Sequence, residues 1–252
     1  MSRPVTLVTG ASAGLGAEIA RQCARRGEPL ALAARRRDRM EALAAELGGD
    51  IHIFEADLAR AGAAASLIAE LAAEGLSVGT LINNAGFGLG GKFADRPLDR
   101  LSEMIDLNIR SLTELCHLVL PAMRERGEGA ILNVASTAAF QPGPNMAVYY
   151  ATKAYVLSFT EALHHELKGS GIRVSALCPG PTHSEFSDVA DSHSPTLERL
   201  KMPAAPVVAA GLAGLDRNTA VVVPGFRNKV GAQASRVLTR AAMRRIIGSI
   251  KV

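Results

Sequence analysis

Two side chains four residues apart in this sequence could together move a proton. Tyr149 and Lys153 begin a segment with a helical pattern, and residues at i and i+4 share one face of a helix. A nearby ammonium favours phenolate over phenol and lowers a tyrosine pKa from about 10 towards neutrality. Tyr150 has Ala154 at the same spacing, so nothing activates it. The pair is typical of an acid/base acting on a carbonyl oxygen, although the spacing alone also fits a surface tyrosine beside a solvated lysine.

A hydroxyl group is expected close to this pair. Ser136 directly follows the apolar run Ala130–Ala135, which predicts a strand. A hydroxyl at the end of a strand could hold the oxygen of a substrate. Thr137 is adjacent and could serve instead, although neighbouring side chains at a strand end normally diverge.

A glycine-rich turn could bind phosphate. Thr9–Gly16 connects the apolar run Val5–Thr9 to the first helical pattern. Glycines there allow a tight turn and a close approach of backbone N–H groups to phosphate, and the helix N-terminus adds a favourable field. The spacing Gly-x3-Gly-x-Gly differs from the Gly-x-Gly-x2-Gly fingerprint, and a plain strand–helix connection is the alternative. The predicted nucleotide contacts in this turn are Gly10, Ser12, Ala13, Gly14, Leu15 and Gly16.

The end of the second predicted strand indicates which nucleotide binds. An NAD-selective site usually places an acid there, on the ribose 2′-hydroxyl. The segment Ala33–Arg37 has no acid, and the guanidinium of Arg35 suits a 2′-phosphate. The predicted cofactor is therefore NADP(H). Arg36, Arg37 and Arg39 also fit the basic first turn of a solvated helix.

An aspartate follows the third predicted strand. Asp57 comes directly after Ile51–Ala56. Its carboxylate could accept a hydrogen bond from an adenine amino group, or it could cap the helix that follows. The sequence favours neither.

In order and spacing, these pieces resemble the short-chain dehydrogenase/reductase family, in its common form of about 250 residues. The resemblance covers almost the whole chain and rests on Thr9–Gly16, Asp57, Asn83-Asn84-Ala85-Gly86, Asn108, Ser136, Tyr149 with Lys153, and Pro179-Gly180. It implies hydride transfer between a nicotinamide and a carbonyl or alcohol. It also implies a homodimer or homotetramer.

The resemblance assigns roles to four side chains. Tyr149 would be the acid/base, and Lys153 would lower its pKa while bonding the nicotinamide ribose. Ser136 would fix the substrate oxygen. Asn108 would hold a water that links Lys153 to solvent; otherwise it is a polar residue that interrupts helical bonding locally.

The resemblance also adds contacts to the cofactor. Asn83 would be mainly structural, and the backbone of Thr182 would lie near the carboxamide. Ser184 stands where a threonine is usual, and Ala13 is uncharged where some NADP-using relatives carry a basic residue. The NADP preference therefore depends on Arg35. The added contacts are Leu58, Asn84, Ala85, Gly86, Tyr149, Lys153, Pro179, Gly180, Thr182 and Ser184.

Apolar runs alternate with helical patterns along all 252 residues, of which 48% are hydrophobic and 21% charged. Such alternation predicts one α/β domain, residues 1–252, with a doubly wound parallel sheet and helices on both faces. The resemblance implies that the sheet is of the Rossmann type, with about seven strands. The remaining predicted strands are Leu30–Ala34, one ending at Leu81-Ile82, Arg173–Leu177 and Ala220–Val223. The predicted helices are Leu15–Arg26, Asp38–Leu47, Ala63–Ala73, Leu101–Arg126 and Ala147–Lys168.

Three irregular segments should line one site, because ligands bind beyond the carboxyl ends of parallel strands. They are Phe87–Pro97, Phe140–Asn145 and Pro179–Pro206. They favour a mainly apolar substrate, with a 3-oxoacyl thioester as the alternative; a protein that senses NADP without turnover is a further alternative. His183 and His193 fit surface positions better than substrate contacts. The apolar residues expected in the site are Phe87, Leu89, Phe93, Phe140, Met146 and Phe186.

The positive charge is concentrated at the C-terminus. Arg217–Val252 holds eight basic residues and no acidic one, so in a chain of net charge +4 the preceding residues carry −4. Val230–Ile250 predicts a basic amphipathic helix, which could rest on an anionic membrane surface or pack against a subunit. Nucleic-acid binding is poorly supported, because only 4% of the residues are aromatic and no base-stacking platform accompanies the basic block.

A cytoplasmic location is expected. No stretch approaches the ~20 apolar residues that cross a bilayer, and the apolar run Val5–Val8 is cut by Thr9-Gly10, unlike a signal peptide. Three cysteines far apart suit reduced thiols. No CxxC pair or Cys/His cluster predicts a metal site.

Overall fold

Seven strands form one parallel sheet, which confirms the predicted fold class. The computed structural model describes residues 2–192 and 194–249. The strands are β1 (Arg3–Thr9), β2 (Leu30–Ala34), β3 (Ile51–Glu55), β4 (Leu76–Asn83), β5 (Gly129–Val134), β6 (Ile172–Leu177) and β7 (Val221–Val222). Their order is β3-β2-β1-β4-β5-β6-β7, so the topology reverses between β1 and β4. In such sheets the ligand crevice opens at the carboxyl ends beside this reversal.

Helices cover both faces of the sheet. Long helices alternate with the strands, and short ones lie in the connection after β6. The helices are α1 (Gly14–Arg25), α2 (Arg37–Leu47), α3 (Ala63–Ala73), α4 (Leu98–Ile105), α5 (Leu112–Arg126), α6 (Ala147–Glu166), α7 (Phe186–Val189), α8 (Pro195–Glu198), α9 (Ala204–Asp216), α10 (Phe226–Val237) and α11 (Arg240–Gly248). Asp106–Ser111 is a π-helical turn, and Phe93–Asp95 and Thr137–Phe140 are 3₁₀ turns.

The apolar strands are continuous because both of their faces are buried. In β2, Leu30 and Leu32 belong to the core under α1, α2 and α9. Ala31 and Ala33, which point the other way, belong to the core under α3, α5 and α6. Alternate side chains of a strand face opposite sides of a sheet, so each central strand supplies two apolar layers.

Three helices were not expected from the sequence: the short α7 and α8, which lie within Pro179–Pro206, and the longer α9. Pro179–Pro206 was predicted to be irregular, yet α9 begins at Ala204 and continues to Asp216. Pro206 is its third residue. Proline is tolerated in the first turn of a helix, because the N–H groups there have no partner within the helix.

The long predicted helix Leu101–Arg126 begins earlier, at Leu98, and is interrupted. The π-helical turn Asp106–Ser111 separates α4 from α5, and Asn108 lies within it. The side chain of Asn108 bonds to groups outside the helix, which fits the expected local interruption of helical bonding.

The C-terminal segment forms two helices, so the prediction of a single helix Val230–Ile250 is wrong. Leu238 is extended (φ −85°, ψ 144°), and the hydroxyl of Thr239 accepts a hydrogen bond from the N–H of Ala242 at 3.2 Å. Threonine in this position starts a new helix, α11. The basic residues after Val237 therefore lie on a different axis from those before it. His193 and Ile250 lie outside the described residues.

Two further features of the described chain concern thiols and membranes. Cys23, Cys116 and Cys178 are buried and unpaired. Among the helices of residues 2–192 and 194–249, none has the length and apolar character needed to cross a bilayer.

Candidate active site

One cleft of about 510 Å³ opens at the carboxyl ends of β1, β4, β5 and β6. That volume lies within the usual range for small-molecule and cofactor sites. The cleft collects residues from both parts of the predicted site. Those lining it are Gly10, Ser12, Ala13, Gly14, Leu15, Arg35, Asp57, Leu58, Asn84, Ala85, Gly86, Ser136, Tyr149, Lys153, Pro179, Gly180, Thr182 and Ser184.

The glycine-rich turn forms the floor of one end of the cleft. Gly10 has φ +66°, a left-handed conformation that favours glycine. A Cβ at Gly16 would overlap the Gly10 carbonyl oxygen and lie 2.6 Å from Nδ2 of Asn84. Side chains at these two positions would therefore disrupt the turn, and their absence leaves backbone N–H groups accessible to a phosphate.

Thr9 and Asn84 hold this turn against the end of β4. The hydroxyl oxygen of Thr9 accepts hydrogen bonds from the N–H groups of Asn84 and Ala85, both at 3.0 Å. Nδ2 of Asn84 donates to the Thr9 carbonyl at 2.9 Å. The side chain of Asn84 thus supports the turn, and the segment to Gly86 lines the cleft, while its contact with adenosine stays a prediction. Nδ2 of Asn83 donates to Oδ1 of Asn133 at 2.9 Å in the interior, which fits its expected structural role.

Two guanidinium groups, not one, lie at the end of the cleft that holds the glycine-rich turn. Arg35 is exposed and pairs with Glu103 at 3.3 Å. Arg36 also lines the cleft, and its Nε and Nη2 atoms each donate to the Ser12 hydroxyl at 3.3 Å. The interpretation of Arg36 as part of a solvated helical turn is therefore incomplete. It precedes the first residue of α2 and folds back over the glycine-rich turn.

Glu185 connects the segment after β6 to these basic residues. Nη1 of Arg36 donates to Oε2 of Glu185 at 2.9 Å, and Arg39 pairs with the other oxygen. The hydrogen bond from Arg39, together with Arg36, holds the pKa of Glu185 below its usual value. No local pattern in the sequence marks Glu185, because its partners lie about 150 residues away in the chain.

Asp57 does not cap the following helix. α3 begins at Ala63 and is preceded by Gly62. Oδ1 of Asp57 instead accepts from the N–H of Ala59 at 3.3 Å, a local turn, and Arg60 pairs with Oδ2 at 3.3 Å. The capping alternative is therefore wrong, and the position of Asp57 in the cleft leaves the adenine contact as a prediction.

Tyr149 and Lys153 lie on the buried face of α6, within the cleft. Burial raises the pKa of Tyr149 to about 12, and interaction with the Ser136 hydroxyl opposes part of that rise. The expected lowering of the tyrosine pKa by Lys153 is therefore not found. Nζ of Lys153 lies 5.9 Å from the centre of the Tyr149 ring and donates to the Val134 carbonyl at 2.8 Å. Burial lowers the pKa of Lys153 itself to about 8.

Ser136 starts the 3₁₀ turn after β5. Its hydroxyl oxygen accepts from the N–H of Ala138 at 3.1 Å, and its hydroxyl contacts the Pro179 carbonyl at 3.5 Å. Thr137 also lines the cleft. Ser136 is the hydroxyl whose interaction affects the pKa of Tyr149.

Asn108 connects the loop after β4 to α6. Its Oδ1 accepts from the N–H of Phe87 at 3.1 Å, and its Nδ2 donates to the Phe87 carbonyl at 2.9 Å. Nδ2 also donates to the hydroxyl of Thr152 at 3.1 Å, next to Lys153. Asn108 thus positions the wall beside Lys153, and its water-holding role stays a prediction.

The segment after β6 closes the cleft over the glycine-rich turn. Pro179, Gly180 and Thr182 line the cleft. Ser184 lies so close to Gly14 that a Cβ on that glycine would be 3.1 Å from the Cβ of Ser184. Ser184 thus packs directly against the glycine that begins α1.

The other end of the cleft is mainly apolar, but only half of the apolar residues expected in the site line it. Phe87, Met146 and Phe186 do so, and the ring of Phe186 lies 5.2 Å from that of Tyr149. His183 is exposed, in accord with the surface interpretation. Leu89, Phe93 and Phe140 are not among the lining residues: Leu89 and Phe140 pack against the cores, and Phe93 is exposed.

Three apolar side chains of this end were missed from the sequence. Tyr150 packs edge-on against Tyr149, with ring centres 6.1 Å apart, and lines the cleft. Val189 of α7 and Ile247 of α11 also line it. No local signal marks Ile247, because its contact with the cleft depends on how the C-terminal helices fold back over the loop after β5.

Comparisons with known proteins agree with this geometry. The chain matches the short chain dehydrogenase family over residues 4–194. It is 37% identical to the NADP-dependent 3-hydroxy acid dehydrogenase YdfG of Escherichia coli O157:H7, over 73% of this chain and 75% of that one.

Two solved structures are similar over nearly the whole chain. A short-chain dehydrogenase from Sphingobium yanoikuyae in complex with NADPH has a TM-score of 0.83 and 35% identity, covering 99% of this chain and 96% of that one. A bulky-bulky ketone specific alcohol dehydrogenase from Comamonas testosteroni has a TM-score of 0.79 and 31% identity, covering 100% and 96%. The family match extends over most of the chain and includes both ends of the cleft. The chain therefore belongs to the short-chain dehydrogenase/reductase family.

Proposed function

We propose that this enzyme interconverts a carbonyl and a secondary or primary alcohol on a mainly apolar substrate, using Ser136, Tyr149 and Lys153. The observation that carries this proposal is the burial of Tyr149 and Lys153 at the point where the phosphate-type turn and the apolar wall of the cleft meet. A phenol that is buried, beside a hydroxyl and one helical turn from an ammonium, is suited to proton transfer rather than to structure alone.

NADP(H) is the cofactor. The segment between Ala33 and Arg37 holds no acid that would select a free ribose 2′-hydroxyl, and both Arg35 and Arg36 lie at that end of the cleft. Guanidinium groups bind phosphate through paired, charge-assisted hydrogen bonds. Two relatives agree with this choice, since one is an NADP-dependent dehydrogenase and the other was solved in complex with NADPH. When bound, the nicotinamide donates or accepts the hydride.

The proton steps fall to this chain's own residues. With a pKa of about 12, the Tyr149 phenol carries its proton at neutral pH and can donate it to a substrate oxygen that is becoming an alkoxide. Ser136 donates a second hydrogen bond to that oxygen and stabilises its developing charge. Lys153 is still largely protonated at pH 7. It holds the end of β5 beside the phenol through its hydrogen bond to the Val134 carbonyl, and it would bond the nicotinamide ribose. The protonated phenol is the form that carbonyl reduction requires, whereas alcohol oxidation requires the phenolate.

The apolar wall suggests the substrate class. Phe87, Met146, Phe186, Val189 and Ile247 offer contact area but no charge. We infer a ketone or aldehyde with an apolar substituent, a class that includes the bulky ketones named for one structural relative. A 3-oxoacyl thioester would use the same wall for its acyl chain and belongs in the same substrate panel.

The test is NADPH oxidation with a panel of aryl and alkyl ketones, aldehydes and a 3-oxoacyl thioester. Wild type should turn over apolar ketones, and Tyr149→Phe should lose at least a hundredfold in kcat while binding NADPH normally. Tyr155→Phe is the matched control, because Tyr155 is on the same helix but bonds to Thr113 outside the cleft at 2.9 Å. Equal turnover by wild type and Tyr149→Phe would exclude the mechanism. Binding of NADPH without turnover of any member of the panel would favour an NADP sensor.

We also propose a homodimer or homotetramer, residues 1–252 as one domain, and a cytoplasmic location. The first two are expected from the family. The third fits three thiols that are unpaired and buried. Light scattering of the purified protein gives the oligomer directly, and a monomer would contradict the proposal.

A further inference from the structure

The exposed face of α10 carries an apolar stripe, formed by Phe226, Val230 and Val237. These side chains are 81%, 53% and 83% exposed. They lie four and seven residues apart, which places them within about 40° of one another around a helix with 3.6 residues per turn. Ala232 is buried on a different side of the helix. The stripe is therefore an outward face, separate from the one that packs on the domain.

Basic residues flank the stripe on both sides. By the same helical spacing, Lys229 and Arg236 lie on one side of it and Arg227 on the other. An apolar face bordered by cations is the pattern of helices that lie in the interface of a membrane.

Among the described residues, none forms an ion pair with these cations. Elsewhere, exposed arginines are commonly paired, as Arg21 is with Glu46. No acidic residue occurs from Arg217 onwards. In the part of the chain that the structure describes, no ion pair involves Arg227, Lys229, Arg236, Arg240, Arg244 or Arg245.

We propose that α10 docks on an anionic lipid bilayer, with the stripe inserted among the headgroups and the flanking cations against lipid phosphates and carboxylates. Charge complementarity selects this partner. A second copy using the same face about a two-fold axis would bring cations against cations. An anionic bilayer supplies both the negative surface and the apolar layer beneath it.

The docking helix α10 lies beside the cleft, since a Cβ at Gly180, which lines the cleft, would overlap Oδ1 of Asn228, and α11 follows α10 directly. Ile247 of α11 lines the cleft, and a Cβ at Gly248 would be 3.4 Å from the ring of Pro144, in the loop after β5. Docking therefore places the apolar end of the cleft near the bilayer, where an apolar ketone accumulates. This consequence, unlike the docking itself, depends on the proposed function.

The docking is tested by sedimentation of the purified full-length enzyme with vesicles. The probes are phosphatidylcholine vesicles with and without phosphatidylserine, at low and at physiological salt. Wild type should sediment with the anionic vesicles only, several-fold less at the higher salt, because screening weakens the attraction. The double variant Phe226→Ser/Val237→Ser should lose most of the bound fraction. The matched control is Leu98→Ser, since Leu98 is 76% exposed on α4.

Two variants with the same charge change, one on α10 and one elsewhere, separate local electrostatic attraction from attraction by net charge. Arg236→Glu should lower binding several-fold, and Lys168→Glu, an equal charge change at an exposed residue after α6, should change it much less. Equal losses in the two variants would show attraction by net charge alone and would overturn the proposed surface. Absence of sedimentation with anionic vesicles at low salt would also overturn it. Conversion of an oligomer to monomers by Phe226→Ser/Val237→Ser, without vesicle binding by wild type, would assign the face to a second copy instead.

A second readout separates this inference from the proposed function. With an apolar ketone, anionic vesicles should lower the apparent KM of wild type but not that of Phe226→Ser/Val237→Ser. Vesicle binding without turnover of any ketone would remove the proposed function and leave the docking surface intact. Turnover without vesicle binding would remove the docking surface and leave the proposed function intact.

Discussion

The Lys153 ammonium lies 5.9 Å from the centre of the Tyr149 ring and donates its hydrogen bond away from it, to the Val134 carbonyl at 2.8 Å. Both side chains occupy the same buried face of α6, as their spacing predicts. Burial, however, dominates the electrostatics of both: it raises the pKa of the phenol and lowers that of the amine. At neutral pH Tyr149 is therefore a neutral phenol, and Lys153 is an ammonium that loses its proton more readily than an exposed lysine does.

The first prediction concerns the titration of Tyr149. Without cofactor, its phenol should ionise near pH 12 rather than near 10, because the buried phenolate is poorly solvated. The absorbance of tyrosinate, compared between wild type and Tyr149→Phe, isolates this group. A difference that titrates near pH 10 or below would contradict the burial argument and restore the simple activation by Lys153.

The second prediction is that Lys153→Met stabilises the fold at neutral pH while abolishing activity. A shift of the lysine pKa from 10.5 to about 8 means that burying the charged amine destabilises the folded state by about 3 kcal/mol. Lys153→Met removes this cost but also loses the hydrogen bond to Val134, which offsets about 1 kcal/mol of the stabilisation. The variant should thus be more stable by about 2 kcal/mol at pH 7.

The stability difference between wild type and Lys153→Met should depend on pH. The folded-state pKa lies below the unfolded value, so the cost of charged Lys153 is complete below pH 8 and fades as the pH rises towards 10.5. In urea unfolding from pH 7 to 10, the free energy of unfolding of wild type should approach that of Lys153→Met as the pH rises. The exposed Lys168→Met serves as the control, and a constant gap would exclude the buried-charge explanation.

The third prediction concerns cofactor selectivity. Arg35→Ala and Arg36→Ala should each weaken NADPH binding roughly 10- to 100-fold and NADH binding far less, because each removes charge-assisted hydrogen bonds to the 2′-phosphate. Quenching or enhancement of nicotinamide fluorescence measures both affinities. Arg37→Ala is the control, since Arg37 pairs with Glu41 along α2 at 2.8 Å. Equal losses for the two cofactors would remove the basis for NADP selectivity.

The fourth prediction concerns the glycine-rich turn. Gly16→Ala should destabilise the fold by several kcal/mol and abolish NADPH binding, because the new methyl group would meet the Gly10 carbonyl and lie 2.6 Å from Nδ2 of Asn84. In contrast, Gly231→Ala, in open space on α10, should be neutral or stabilise by up to about 1 kcal/mol. Thermal unfolding and NADPH titration check both variants. A Gly16→Ala protein with normal affinity would show that the turn adjusts.

The sequence by itself determined the sheet, the positions of its strands and the family. Runs such as Leu30–Ala34 are apolar at every position, which requires burial of both faces and hence helices on each side. It also determined that Tyr149 and Lys153 share a face, because that depends only on the period of one helix. Local chemistry was sufficient for these conclusions.

Only the tertiary structure decided what surrounds those groups. The pKa values of Tyr149 and Lys153 depend on burial by neighbouring elements, and the placement of Arg36 over Ser12 joins two segments 24 residues apart. The contact of Ile247 with the cleft depends on the break at Leu238, where Thr239 starts a new helix. Periodicity describes one element at a time, whereas solvation and charge depend on every element packed around a site, so these features follow from the assembled fold.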